Sequence, residues 1–151
     1  MNEHDTIEGH AHVGDDELDR DECLTLLASQ EIGRLGVVDG DQPLIFPVNF
    51  YLEGDTVVFR TDPGTKLSTA PLKRVAFEVD HVDPATRKGW SVLVQGVAQE
   101  ITEAIDPRSE RERELPVEPW AAGPRSHWVR ILSRSVSGRR VRAKPGDRLG
   151  R

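Results

Sequence analysis

The segment PVNFYLEGDTVVFRTDPGTK, residues 47–66, contains two β-rich runs, PVNFYLE and TVVFRT, joined by Gly54-Asp55. A glycine followed by an aspartate suits the tight reversal of a two-residue hairpin loop. The chain then turns through Pro63-Gly64 and brings Thr65-Lys66 to the expected start of a helix. The segment therefore predicts an antiparallel hairpin followed by a strand-turn-helix unit.

Further β-rich runs flank this hairpin: IGRLGVVDGD before it, and RVAFEVDHV, WSVLVQGVAQEI and HWVRILSRSVSG after it. Asp39-Gly40 is a second hairpin signal, and Asp83-Pro84 ends the fourth run. Gly96 marks the place where a barrel strand bends or bulges, and we expect Gly138 to stop the sixth run. Six short β runs with few helices predict a mainly β fold, a small antiparallel barrel with short helices.

The predicted helices flank the strands. Asp19 and Glu22 form a capping box, with Leu18 and Cys23 as its hydrophobic staple. The helix that follows is one-sided, and we expect Cys23 to pack on its buried face rather than to react. A short helix is expected in LSTAPLKR, and the alternating charges of ITEAIDPRSERERELP predict a solvent-facing helix.

Composition separates a central domain from two polar ends. The chain has 151 residues, of which 36% are hydrophobic and 30% charged, with a net charge of −6. We expect a disordered acidic N-terminus over residues 1–17, a folded domain over 18–141 and a basic tail over 142–151. The net negative charge disfavours nucleic acid, and no apolar run is long enough for a membrane span. With one cysteine and no export signal, the sequence predicts a cytoplasmic protein.

The most informative polar cluster lies in FRTDPGTK. Arg60 and Lys66 supply positive charge, Thr61 and Thr65 supply hydroxyl groups, and the helix start supplies backbone N–H groups, an arrangement suited to phosphate. An ordinary strand-turn-helix with surface charges fits the same letters equally well. No nucleophile elbow or zinc pattern is present, which argues against a hydrolase, and no metal site or catalytic residue is assigned.

The order PVNFYLEGDTVVFRTDPGTK resembles the flavin-binding hairpin of the pyridoxamine 5′-phosphate oxidase-like family, and the resemblance extends over residues 18–141. Over this span the chain is similar to the subfamily that includes nitroimidazole-resistance flavoproteins and many actinobacterial flavoproteins. The resemblance implies a six-stranded antiparallel split β-barrel that binds flavin mononucleotide (FMN). The implied cofactor-binding residues are Pro47, Val48 and Asn49 along the isoalloxazine ring, Arg60, Thr61 and Lys66 on the phosphate, and Trp90 and Ser91 on a later strand.

The resemblance also implies a homodimer in which both chains contact each cofactor. Trp120 and Trp128 then either reach over the partner's cofactor or pack in a core, and His127 is either a proton donor or structural. Arg125-Ser126-His127 resembles the Arg-x-His substrate clamp of true pyridoxamine phosphate oxidases. Here the chain continues beyond it as a strand, so pyridoxal phosphate synthesis is not expected.

Three functional interpretations remain open. The first is a flavin-dependent oxidoreductase acting on a small molecule, in which the cofactor carries the electrons and no acid-base dyad is needed. The second is a reductase using the deazaflavin coenzyme F420, whose longer acidic tail Lys73, Arg74, Arg87 and Lys88 would attract. The third is a module that binds flavin without turnover.

Overall fold

A computed structural model describes residues 15–62, 73–102, 106–123, 125–142 and 146. Over these residues the chain forms a seven-stranded antiparallel sheet and two short helices. The strands are Asp15–Leu18 (β1), Ile32–Asp39 (β2), Gln42–Glu53 (β3), Thr56–Thr61 (β4), Lys73–Asp83 (β5), Lys88–Ile101 (β6) and His127–Val141 (β7). The helices are Arg20–Ala28 (α1) and Pro107–Arg113 (α2). Within the described ranges, no helix is long and apolar enough to cross a membrane.

Six strands close into a barrel in the order β7-β4-β3-β2-β5-β6, because β6 also pairs with β7. On the edge opposite β6, β7 is long enough to pair with two strands. Its first half pairs with β4, and its last residues pair with β1. The predicted six-stranded antiparallel split barrel is therefore confirmed, with β1 as an added strand.

Both predicted hairpins form with two-residue loops. Asp39 pairs with Gln42 and Glu53 pairs with Thr56, so Gly40 and Gly54 each take the first loop position. Their φ angles, 62° and 63°, lie in the left-handed region, where a side chain is disfavoured. These two turns fix the register of β2, β3 and β4.

The barrel core is built from apolar side chains that alternate along the strands. Leu35, Phe59, Phe77 and Ile131 are fully buried at its centre. The predicted irregularity in β6 also forms, because the pairing with β7 shifts register between Gln95 and Gly96. A Cβ on Gly96 would lie 2.2 Å from the carbonyl oxygen of Leu132, so only glycine fits there.

Helix α1 packs its buried face, Cys23 and Leu27, onto the barrel. Its predicted capping box is present: the Asp19 carboxylate accepts the Glu22 N–H at 2.8 Å, and the Glu22 carboxylate accepts the Asp19 N–H at 3.1 Å. Burial, with the nearby charges of Asp19 and Glu22, raises the pKa of the Cys23 thiol. The thiol therefore stays protonated, and its expected packing role is confirmed.

The folded domain includes three residues before the predicted boundary at residue 18. Asp15–Glu17, assigned to the disordered end, belong to β1, which pairs with β7 from Gly138 to Val141. The acidic letters give no β signal, and the strand forms because it completes the hydrogen bonds of an exposed edge. For the same reason β7 continues through Gly138, which was expected to stop it. Residues 1–14 lie outside the described part of the chain.

Helix α2 is half-buried rather than solvent-facing. Ser109 and Glu112 are buried, and the Glu112 carboxylate meets the Arg130 guanidinium of β7 at 2.7 Å. The prediction failed because alternating charge was taken to mean exposure, whereas here one carboxylate is neutralised inside the fold. In LSTAPLKR, Lys73 and Arg74 begin β5, and the rest of the predicted helix lies outside the described residues.

Candidate ligand-binding cavity

A cavity of about 250 Å³ opens between the β2–β3 hairpin, the end of β4 and the segment that precedes β7. Its lining residues are Leu35, Val37, Phe46, Pro47, Val48, Asn49, Arg60, Thr61, Pro119, Ala121 and Arg125. Most of this wall is apolar, and the polar groups are confined to Asn49, Arg60, Thr61 and Arg125. A concave apolar site with a few convergent polar groups is typical of small-molecule binding.

The guanidinium of Arg60 is held by three neighbours. Its Nε donates to the carbonyl oxygen of Arg125 at 2.8 Å, and Nη1 donates to the carbonyl oxygen of Val117 at 3.3 Å. The same group lies 5.1 Å from the ring centroid of Trp128, a cation–π distance. Arg60 thus brings a fixed positive charge to the cavity wall and also ties three parts of that wall together.

Asn49 holds the segment formed by residues 116–123, the roof segment, over the cavity. Its Oδ1 accepts the backbone N–H of Trp120 at 2.9 Å, while Nδ2 lies 3.5 Å from the carbonyl oxygen of Glu31. Val117 anchors the other end of the roof segment by packing in a small cluster with Val58. The roof is therefore fixed from β3 and from the barrel wall.

Arg125 forms the remaining charged part of the wall. Its Nη1 pairs with the Asp62 carboxylate, which directly follows β4. The Arg125 side chain is 23% exposed and that of Asp62 is 42% exposed, so the pair is partly open to solvent. The neighbouring Thr61 is buried at the end of β4.

The structure brings together five of the eight cofactor-binding residues named from the sequence: Pro47, Val48, Asn49, Arg60 and Thr61. Trp90 and Ser91 do not line this cavity. Trp90 is buried in the barrel core, and Ser91 is exposed on the outer face of β6. Lys66 lies outside the described residues.

No pattern in the sequence assigns the roof segment or Arg125 to the cavity. Pro119 and Ala121 lie in PWAAGP, a stretch whose Pro and Gly indicate only a loop. In the sequence Arg125 stands out only as part of the clamp-like tripeptide Arg125-Ser126-His127. The inward orientation of Leu35 and Val37, in contrast, can be predicted from the sequence, since these residues alternate on the inward face of β2.

The remaining aromatic candidates have different surroundings. The Trp120 side chain is 69% exposed, whereas Trp128 is partly buried against Arg60. The Nδ1 of His127 lies 3.1 Å from the Glu100 carboxylate. Neither His127 nor Trp120 lines the cavity within one chain, so their roles stay predictions.

In the described ranges, no group of three or more His, Cys, Asp or Glu side chains is placed to bind a metal ion. The three N-terminal histidines, His4, His10 and His12, lie outside those ranges.

A closed six-stranded barrel with a lateral cavity at its split defines a split-barrel protein. The sequence profile of the pyridoxamine 5′-phosphate oxidase family matches residues 19–140, and the chain belongs to this family. The predicted family resemblance is thereby confirmed.

Relatives extend the match over most of the chain. The uncharacterized protein Rv0080 of Mycobacterium tuberculosis is 36% identical over 131 residues, covering 83% of this chain and 84% of its own length. The structure of the FAD binding protein from Mycobacterium smegmatis is 37% identical with a TM-score of 0.70, covering 84% of this chain and 98% of that one. An FAD-binding protein from Mesorhizobium loti is 25% identical with a TM-score of 0.68, covering 85% and 98% respectively.

Proposed function

We propose that this protein binds a flavin nucleotide in the cavity and acts as a flavin-dependent oxidoreductase on a small-molecule substrate. The observation that carries the proposal is the division of the cavity wall into an apolar part and a part bearing Arg60 and Arg125. An isoalloxazine ring needs a flat apolar surface, and a flavin phosphate needs fixed positive charge. The FAD-binding protein of M. smegmatis supports the same ligand class.

The apolar part of the wall has the side chains that an isoalloxazine ring would pack against. Phe46, Pro47 and Val48 follow one another on β3, Leu35 on β2 lies directly opposite Phe46, and Val37 adds a second apolar side chain from β2. Because these strands are hydrogen-bonded to each other, their surface is rigid and excludes water from a bound ring. A bound flavin supplies the electron transfer, and the residues of this chain supply its position and surroundings.

The proposal assigns the FMN portion of the cofactor to this cavity. That portion is common to FMN, which the sequence resemblance implies, and to FAD, which both named structural relatives bind. Titration of the protein with FMN, FAD and coenzyme F420, followed by cofactor fluorescence, separates the candidates. We expect saturable quenching of FMN or FAD at one cofactor per chain. Binding of F420 with neither flavin bound would replace this proposal by the deazaflavin alternative.

We further propose a homodimer whose interface is the outer face of the sheet. Cavities that hold drug-sized ligands measure roughly 300–1,000 Å³, so about 250 Å³ in one chain is small for a complete flavin site. Directly opposed positions form a row across five strands of this face: Ile45, Gly36, Ala76, Gln95 and Ser135. Ile45, at one end, is 73% exposed.

Charged and polar groups surround this row. Arg34 lies on the same face and meets the carboxylates of Glu78 and Asp80 at 3.3 and 3.4 Å. The apolar part of the row, Ile45, Gly36 and Ala76, with polar groups around it resembles the usual anatomy of a protein interface, an apolar centre with a polar rim. Ser91 lies four positions before Gln95 on β6 and therefore on the same face, where a partner's cofactor would meet it.

Replacing Ile45 by Glu is expected to convert the dimer to a monomer at micromolar concentration, because it places a charge on the large exposed apolar side chain at the end of this row. Sedimentation velocity measures the change. Val141→Glu is the matched control, since Val141 is also an exposed β-branched apolar residue on a strand but lies at the far end of β7. Equal sedimentation of all three proteins as monomers, or as dimers, would contradict this interface.

A further inference from the structure

Two guanidinium groups border the cavity, and their partners differ in kind. Arg60 donates through Nε and Nη1 to main-chain carbonyl oxygens of Arg125 and Val117, contacts that belong to the fold of the wall. Arg125 instead pairs its Nη1 with a side-chain carboxylate, that of Asp62. A carbonyl contact is lost only if the wall rearranges, whereas a carboxylate is an anion that another anion replaces directly.

The position of the Arg125–Asp62 pair makes such a replacement accessible. Arg125 lines the cavity and its side chain is 23% exposed, and the pair is partly open to solvent. Asp62 immediately follows the β4 residues Arg60 and Thr61, which also line the cavity. A ligand phosphate that reaches this wall therefore meets Arg125 and a competing carboxylate together.

We propose that Arg125 recognises the phosphate of the bound flavin and that Asp62 is the internal anion that the phosphate displaces. A phosphate monoester carries more negative charge than a carboxylate and accepts the forked N–H groups of arginine in the same bidentate geometry. The exchange makes Arg125 a determinant of preference for phosphorylated flavins over riboflavin. Asp62 weakens that preference, since the Asp62 carboxylate both pairs with Arg125 and repels the incoming phosphate.

This inference rests on the proposed flavin site, and comparison of FMN with riboflavin tests it separately. Dissociation constants of both flavins are measured by fluorescence quenching for the wild-type protein and for Arg125→Gln, Asp62→Asn and Arg20→Gln. Arg20 is a control because its pair with Asp55 lies on the exposed surface. Far-UV circular dichroism and thermal melting verify that each variant is folded.

We expect Arg125→Gln to weaken FMN binding about ten-fold or more while changing riboflavin binding by less than about three-fold. Asp62→Asn is expected to strengthen FMN binding several-fold and to leave riboflavin binding unchanged. Raising the salt concentration should shrink both effects, since they arise from charge. Arg20→Gln should bind both flavins as the wild-type protein does.

Equal losses of affinity for FMN and for riboflavin in Arg125→Gln would overturn the inference, because they would show that Arg125 stabilises the cavity wall without binding the phosphate. The proposed flavin site would survive that outcome. A wild-type protein that binds neither flavin would overturn the proposed function and this inference together. If Arg125→Gln proves unstable, the ratio of the FMN and riboflavin dissociation constants of Asp62→Asn tests the inference instead. A ratio equal to that of the wild-type protein would contradict the exchange.

Discussion

Replacing Glu112 by Ala is expected to lower the free energy of unfolding by about 3–5 kcal/mol, since removing one partner strands a buried charge. The Glu112 side chain is 1% exposed and that of Arg130 is 8% exposed, with 2.7 Å between Oε2 and Nη1. After the substitution Arg130 keeps contacts to Gln99 and Ser109, which are neutral groups at 3.2 and 3.3 Å. These neutral acceptors do not neutralise the buried charge of Arg130, so the native state is destabilised.

Urea denaturation followed by circular dichroism measures the loss. Glu110→Ala, on the exposed side of the same helix, is the control and should change stability by no more than about 0.5 kcal/mol. The double variant Glu112→Leu with Arg130→Met should recover much of the loss, because it removes both charges. A Glu112→Ala protein as stable as Glu110→Ala would show that the pair is not buried as described.

Replacing Arg60 by Ala is expected to weaken FMN binding by about 1.5–3 kcal/mol, the range for a hydrogen bond to a charged group. This corresponds to a rise in the dissociation constant of roughly 10- to 150-fold. The substitution removes positive charge from the cavity and releases the carbonyl oxygens of Val117 and Arg125, which also loosens the wall. We expect a smaller loss in Lys66→Ala and a dimer that survives both changes.

Isothermal titration with FMN measures this change, and Arg20→Ala is the matched control because its ion pair is exposed and worth little. Arg60→Lys should bind FMN with intermediate affinity, since it keeps the charge but loses the forked contacts. If Arg60→Ala binds FMN with the affinity of the wild-type protein, Arg60 does not contribute to the FMN site.

The barrel was predictable because its signals are local. Gly40 and Gly54 take the left-handed conformation that tight hairpins need, and Gly96 marks the bulge that its crowded backbone requires. Alternation of Val75, Phe77 and Val79 likewise reports burial directly. Such features depend on neighbours in the sequence, so they can be interpreted without a structure.

The features that escaped prediction depend on distant partners. Asp15–Glu17 form a strand only because the edge of β7 is available, and Glu112 is buried only because Arg130 lies opposite it. Charge patterns alone assign both to solvent. A sequence without the fold cannot show which charged group meets a countercharge.

The candidate site divides in the same way. Pro47, Val48 and Asn49 were found because they lie on a regular strand whose order resembles a known flavin-binding hairpin. The roof segment follows no period, and its position depends on the contact of Asn49 with the Trp120 backbone. Arg125 enters the cavity through the pairing of β4 with β7, which joins residues more than 60 positions apart.

The central claim is that the cavity holds a flavin, and the most direct measurement is an absorbance spectrum of the purified protein. Spectra are recorded before and after addition of a slight excess of FMN, followed by desalting, and the loading is repeated with FAD. We expect retained flavin bands at about one cofactor per chain in the wild-type protein, and weaker bands in Arg60→Ala. A folded wild-type protein that stays colourless after loading with either flavin would contradict it.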